Sequence, residues 1–382
     1  MKKKDLCLLA PSFLITAIVA LSAGLDKIAT AFPAISTSNI QILTSLPSLI
    51  AVAVVLLSGY LTTKFTKKQI VSVAVLLMFL GGTFPLLCHS SFALLLVASC
   101  VFGLGYGAIS SLSSALIAEH YDRNEQAKML GYQSAVIGVG GMLFSYLGAQ
   151  LSEKCWWYVY FSYLLILPVF YLTVKMPQGK RSERTEHSFS FVFSVEPFFY
   201  LCQCLLFHLF FYTFQNNLAL YLARAQIGRP GFAGVTFSAH SAIGIVTGLL
   251  CGAILRKLDF RSISFVSLVS GIGLLLVFAF PSAFSAMSCG LLLGAVFSLR
   301  MPAGYMKITS CVPPSLSTFA IAVYCSMSQI GHFLSPIVTN SLCDVLGLDL
   351  HGQFLFSGCI LVALAIVTFF WSKERILKNK NG

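Results

Sequence analysis

Gly59-Tyr60-Leu61-Thr62-Thr63-Lys64-Phe65-Thr66-Lys67-Lys68-Gln69-Ile70 is a short cationic turn set between two long apolar runs. A second version stands 193 residues further on, Gly252-Ala253-Ile254-Leu255-Arg256-Lys257-Leu258-Asp259-Phe260-Arg261-Ser262-Ile263, with the glycine, one lysine, a late basic residue and the closing isoleucine in register. The same offset carries Ile137-Gly138 onto Ile330-Gly331. A chain of 382 residues that repeats at half its length, with both copies at equivalent places among hydrophobic segments, reads as two copies of one membrane unit.

Composition agrees. Apolar residues make up 57% of the chain and charged residues 10%, far below the roughly 25% charged of soluble domains. The 33 phenylalanines and 29 glycines suit helices that face lipid on one side and pack closely on the other. The net charge of +12 falls in short clusters between apolar runs. There it reports topology and not a nucleic-acid surface. Of the 12 cysteines, Cys202 and Cys204 are the nearest pair, and an i, i+2 spacing on a helix points them to different faces. Cys88, Cys155 and Cys343 fall near predicted external ends, where a disulfide is chemically permitted. Lys2, Lys3 and Lys4 before an apolar run, with Ala29-Thr30-Ala31 beyond it, imitate a signal peptide. The run is longer than the roughly 7 to 15 residues of a signal core, so it is read as a retained helix.

A helix needs about 20 apolar residues to cross a bilayer. Segments of that kind are predicted near 6–33, 41–62, 69–88, 91–118, 129–151, 156–175, 198–222, 232–255, 262–281, 285–307, 315–341 and 353–372, which makes an all-α membrane protein of twelve transmembrane helices in two pseudo-symmetric six-helix bundles. With a cytoplasmic N-terminus, the inner side holds Lys2, Lys3, Lys4, Lys64, Lys67, Lys68, Arg123, Lys128, Lys175, Lys180, Arg181, Arg184, Arg256, Lys257, Arg261, Lys307, Lys373, Arg375, Lys378 and Lys380. The outer side keeps Lys27, Lys154, Arg224 and Arg229. The asymmetry places both termini in the cytoplasm, in a cell membrane of bacterial inner-membrane type. The polar stretch 176–194 divides the chain into an N-terminal bundle, 1–175, and a C-terminal bundle with a short tail, 195–382. No G-x-x-x-x-G-K-[ST] is present, so transport has to draw on an ion gradient or on the gradient of the substrate.

On these motifs the chain resembles the major facilitator superfamily over nearly its whole length. The turn after the second segment is similar to that family's G-x-L-x-D-R-x-G-R-R, met by Gly59, Leu61, Lys64, Lys67 and Lys68, with Thr63 at the acidic position and Thr66 at the second glycine. The resemblance implies a gating latch on the cytoplasmic side, whose cationic part would meet Glu119, Asp122 or Glu125, and whose second copy is Gly252, Lys257 and Arg261. Ser99-Cys100-Val101-Phe102-Gly103-Leu104-Gly105-Tyr106-Gly107 resembles the family's R-x-x-x-G-x-G-x-G, with Ser99 where the arginine implicated in proton transfer stands. Gly138-Val139-Gly140-Gly141 followed by Gly148 is similar to the glycine-rich fifth helix of antiporters without its proline; equally, these glycines serve close helix packing. Asp26 with Pro33, and Trp156-Trp157 with Phe161, resemble the end of the first and the start of the sixth helix of twelve-helix drug exporters.

Ionisable groups in hydrocarbon are expensive, which makes each a functional candidate. Asp26 lies about 30 Å up the first segment at about 1.5 Å per residue. It is either a proton or cation acceptor of an outward cavity or a loop carboxylate paired with Lys27. Arg300, some fifteen residues into the tenth segment, either binds an anionic group or snorkels toward the face marked by Lys307. The seventh segment carries His208, Tyr212, Gln215, Asn216 and Asn217. Of these, Tyr212 shares a helix face with Gln215 or Asn216. His240 and His332 fall near mid-membrane, with Gln133, Ser134 and Tyr324 as further cavity candidates.

These features predict a secondary transporter working by alternating access about a midplane site, most simply proton-coupled efflux of amphipathic or cationic compounds. The alternatives are uptake or exchange of an anionic metabolite, which Arg300 favours, and a non-transporting receptor on the same fold. No nucleophile–base pair or metal-ligand set stands out, which sets an enzyme aside. The expected partners are a small-molecule substrate and the lipid bilayer, without nucleic acid, metal or cofactor. The chain is expected to act as a monomer, with the proton gradient as its energy source.

Overall fold

The computed structural model describes residues 3–121, 123–178, 194–229, 231–313 and 316–381. Asp122 and positions 179–193 of the central loop lie outside the described residues. Every regular element is helical, and eleven helices among the described residues are long and apolar enough to cross a membrane.

The first predicted crossing, α1, is the one that is not among these eleven. It was predicted as one helix over 6–33 and is instead a relay of short pieces: Lys3–Leu9, a 3-10 stretch Ala10–Leu14, Val19–Ala23 and Leu25–Ala31. Pro11 has no N–H to give to an i−4 carbonyl, and the pieces are joined by i−3 bonds such as Ile15 N–H to Ser12 O and Gly24 N–H to Leu21 O. Ten of the remaining crossings are α2 (Thr37–Lys64), α3 (Lys67–Thr83), α4 (Phe92–His120), α5 (Arg123–Lys154), α6 (a 3-10 stretch Trp156–Leu165 running into Ile166–Val174), α7 (Val195–Phe211 and Thr213–Arg224, turning at Tyr212), α8 (Phe232–Leu249, continued by Cys251–Leu258), α9 (Ser262–Ala279), α10 (Ala283–Ser310) and α11 (Ser317–Val345). The last is α12 (Gly352–Asn381).

The cationic turn between α2 and α3 is built by a cap. Thr66 takes the N–H of Gln69 on its hydroxyl while the Gln69 side chain accepts from the Thr66 N–H, a capping box that starts α3 sharply. Its counterpart after α8 has no such cap and passes through Asp259 at φ 48°. All twelve cysteines are free thiols, Cys88, Cys155 and Cys343 among them.

Between lipid-solvated helices there is no hydrophobic drive to associate, so small residues and polar pairs set the contacts. The α5 glycines alternate between two neighbours. A Cβ at Gly140 or Gly148 would collide with the carbonyl oxygens of Phe13 and Ala20 on α1, and one at Gly138 or Gly141 with Ile245 and Ser241 on α8. Close packing is what these glycines do. One apolar core is drawn from residues of α1 to α6, including Leu14, Phe144 and Tyr163, and takes in Leu220 of α7. Another gathers Phe207, Phe211, Phe214, Leu293 and Phe354 and takes in Ala23 of α1 and Ala149 of α5. The halves thus interlock through α1, α5 and α7.

Candidate functional site

The side-chain hydrogen bonds between the two halves show where they meet. At the end away from the termini, Gln215 Nε2 donates to Ser22 Oγ at 3.2 Å and Arg224 Nη2 to Thr37 Oγ1 at 3.0 Å. Ser22 and Gln215 are 193 positions apart, the offset of the internal repeat, so equivalent residues of the two copies touch each other.

Between those two contacts lies a ring of four buried amides. Gln41 Nε2 donates to Asn217 Oδ1, and Asn217 Nδ2 to Gln353 Oε1 at 2.6 Å. Gln353 Nε2 donates to Asn340 Oδ1 at 2.9 Å, and Asn340 Nδ2 returns to Gln41 Oε1 at 2.8 Å. Every amide in the ring both gives and takes. Asn340 also donates to Ser38, and Gln41 to the carbonyl of Asn216. The ring joins α2 of the first half to α7, α11 and α12 of the second.

Deeper, at the turn that divides α7, the Tyr212 ring stacks on His332 with centroids 3.6 Å apart. His332 Nδ1 lies 2.7 Å from Ser48 Oγ of α2, and its Nε2 has no partner. Gln329, one turn away on α11, donates to Tyr106 OH of α4 at 3.2 Å. This central level is polar, aromatic and shared by both halves. Among the described residues, no side-chain hydrogen bond between the halves lies closer to the terminal end than this level.

One turn further along α7 the chemistry changes. His208 Nδ1 donates to Cys204 O at 2.8 Å, leaving Nε2 bare. Arg300, 0% exposed, donates from Nη2 to Gln203 Oε1 at 2.6 Å, and its guanidinium sits over the rings of Phe207 and Tyr324, 4.7 and 5.6 Å from their centroids. It packs inside the bundle and does not reach toward Lys307.

The remaining candidates lie apart from this axis. Gln133 joins Ser12 and Ser114 within the first half. His240 lies among Phe211, Phe214 and Phe297. Asp26 stands at the distal end, 3.9 Å from Lys27, which makes its closer pair with Glu153 at 3.1 Å. These three border a cleft of about 240 Å³ that reaches Arg229 and Phe232. At the terminal end Lys67 pairs with Glu119 at 2.9 Å, Lys64 lies over the Tyr60 ring, and Lys68 is half-buried beside them. In the second copy Gly252, Lys257 and Arg261 are exposed.

Several of the assembled residues carry no sequence signal of their own. Gln41, Asn340, Gln353, Gln203, Gln329, Ser48 and Tyr106 sit singly in apolar runs. A search for isolated amides inside the segments would have found Gln203 and Gln329, whereas Gln41, Asn340 and Gln353 lie at segment ends, where an amide is unremarkable.

A family model described as Major Facilitator Superfamily matches residues 8–299. A curated relative, the MFS-type efflux pump MMF1 of Pseudozyma antarctica (strain T-34), is 29% identical over 174 residues, which is 42% of this chain and 32% of that protein. The match therefore spans about a third of the relative's length. Among solved structures, a D-xylose-proton symporter superposes with a TM-score of 0.75 at 17% identity, covering 96% of both chains. The nucleoside transporter NupG gives 0.75 at 15%, covering 96% of this chain and 98% of that one. A bacterial homolog of the human lysosomal transporter Spinster, in an inward-facing and unoccupied conformation, gives 0.73 at 14%, covering 99% and 98%.

Proposed function

The chain belongs to the Major Facilitator Superfamily, and on that premise we propose that it moves a small amphipathic organic solute out of the cell by alternating access, both termini facing the cytoplasm. The solute is held at the central level, and the observation that carries this reading is the Tyr212–His332 stack. It sits at a helix break, between the halves, with an unpartnered ring nitrogen on His332 and with Ser48, Gln329 and Tyr106 around it. Such a surface offers an aromatic face and a few placed polar groups, which is what a small-molecule site needs. The likeness to an efflux pump over part of the chain supports the outward direction.

Coupling to protons is assigned to the distal carboxylates. Asp26 and Glu153 flank Lys27 at a cleft, and a proton taken there would shift the balance of the Lys27–Glu153 pair, which holds α1 to α5. A cationic substrate is the less favoured form of the proposal, because among the described residues no carboxylate faces the central level. The test is a proteoliposome with a trapped pH-sensitive dye and an imposed proton gradient, challenged with amphipathic acids, amides and amines. Solute-driven proton flux, lost in Asp26→Asn and with solute binding weakened in Tyr212→Ala, is the expected result. Flux that survives both substitutions would overturn the assignment.

A further inference from the structure

Arg300 is a buried charge without a counter-ion. A guanidinium cannot shed its proton to escape burial, and an unpaired buried ion costs several kcal/mol by order of magnitude. Here Nη2 has the Gln203 oxygen, while Nε and Nη1 have no hydrogen-bond partner. Among the described residues no carboxylate pairs with it. The rings of Phe207 and Tyr324 give it π-faces, which compensate the charge in part. The Tyr324 hydroxyl beside it is also without a partner. A charge here is not part of the repeated frame: the repeat offset places Gly107 at the equivalent position of the first half. Three unused donors and an uncompensated positive charge meet at one point, at the level of His208 and one turn of α7 from Tyr212.

We propose that Arg300, Gln203 and Tyr324 form an anion subsite that receives the carboxylate, or a comparable oxyanion, of an amphipathic solute. This rests on the carrier reading above and names its substrate class: organic acids with an aromatic or aliphatic body. The body lies along Phe207, His208 and Tyr212 toward the central level, and the acid group supplies the charge that the bundle lacks. Gln203, held in turn by a bond to Ser267 Oγ at 3.3 Å, keeps the guanidinium plane in place.

The experiment uses the full chain in nanodiscs of zwitterionic lipid, so that no anionic headgroup competes, and measures melting temperature and binding with benzoate and hexanoate against benzamide and hexanamide. The acids should raise the melting temperature of the wild type and the amides should not. In Arg300→Met the acid affinity should fall by about ten- to a hundredfold, as for a charged hydrogen bond of about 1.5–3 kcal/mol, while the empty protein melts at or above wild type because an uncompensated charge has gone. Tyr324→Phe should weaken acid binding and leave the melting of the empty protein unchanged. Equal response to acid and amide, acid binding retained in Arg300→Met, or an empty Arg300→Met that melts well below wild type would each overturn the subsite, the last by making Arg300 a structural tie. Failure of the carrier reading has a different signature: acid-specific binding that persists without any flux across the bilayer.

Discussion

Replacing Gln41 with leucine should open the distal end. Gln41 makes three bonds, to Asn217, to the Asn216 carbonyl and from Asn340. All three partners belong to the second half, so all three bonds exist only while that end is closed. The rest of the amide ring, from Asn217 through Gln353 to Asn340, lies within the second half and persists in either state. Polar bonds between membrane helices average about 0.6 kcal/mol each, so losing three costs the closed state roughly 2 kcal/mol. The same figure follows from one orphaned buried acceptor, Asn217 Oδ1, at about 1–3 kcal/mol. At about 1.4 kcal/mol per tenfold, the ratio of closed to open falls about thirtyfold. Spin labels at Leu87 and Phe284, exposed distal positions on opposite halves, report this by double electron–electron resonance. The twelve native cysteines make an unnatural amino acid the better attachment. Gln41→Leu should add a longer distance component that the wild type lacks. An unchanged distance distribution would refute the idea that the ring seals this end, and would reduce it to an internal brace of the second half.

Three further outcomes follow from contacts elsewhere. Gly294→Ala places a methyl on the His240 carbonyl oxygen, a backbone atom that cannot rotate away, and should cost about 1–3 kcal/mol. Gly131→Ala, whose nearest neighbour is 3.7 Å away, should match wild type, both read as monodisperse yield and melting temperature. Thr66→Ala removes the α3 capping box and should raise amide hydrogen exchange in the first turn of α3 by an amount equivalent to about 0.5–2 kcal/mol. Tyr121 donates to Asp5 at 2.6 Å outside the membrane spans, and burial, followed by that bond, raises its pKa. A phenol whose folded pKa is raised contributes stability that is complete below its unfolded pKa of about 10 and is lost as pH rises through the folded value. The wild type should therefore lose melting temperature above about pH 10 in a way that Tyr121→Phe does not.

Periodicity and charge made the large features legible, and single side chains set the limit. Long apolar runs gave the crossings because an unbroken helix is the cheapest way to satisfy backbone groups in lipid. The first run misled for the same reason: nothing in its hydropathy says that Pro11 and Gly24 divide it into short pieces. Arg300 was visible because a charge in an apolar run stands out, yet its alternatives, snorkelling or internal, differ only in which way one helix face turns. That needed Phe207 and Tyr324 in space. The amide ring was almost wholly hidden. Asn217 was noticed only because it follows two other amides, whereas Gln41, Asn340 and Gln353 acquire meaning only from one another.

The repeat itself separates what holds the fold from what does chemistry. Ser22 and Gln215, equivalent positions, bond to each other, and α5 with α8 mirrors α2 with α11 in joining the halves. A residue that serves only this frame should have a comparable residue in the other copy. At the 193-residue offset, Gln41 faces Gly234, Asn217 faces Gly24, Tyr212 faces Val19, His332 faces Val139, Gln203 faces Ala10, Tyr324 faces Gly131 and Arg300 faces Gly107. These seven are matched by small or aliphatic residues, whereas Gln353 faces Tyr160 and Ser48 faces Ser241. The frame works without a polar side chain at these places in one half; Gln41 and Asn217 have the ring between the halves as their task, and Tyr212, His332, Gln203, Tyr324 and Arg300 call for another explanation. A solute supplies one, and it approaches from one half as much as from the other only if it is itself symmetric. An amphipathic acid is not. Its charged end requires a donor cluster and its body does not, and the second half, with Arg300 at one end of the axis and the amide ring at the other, supplies that polarity.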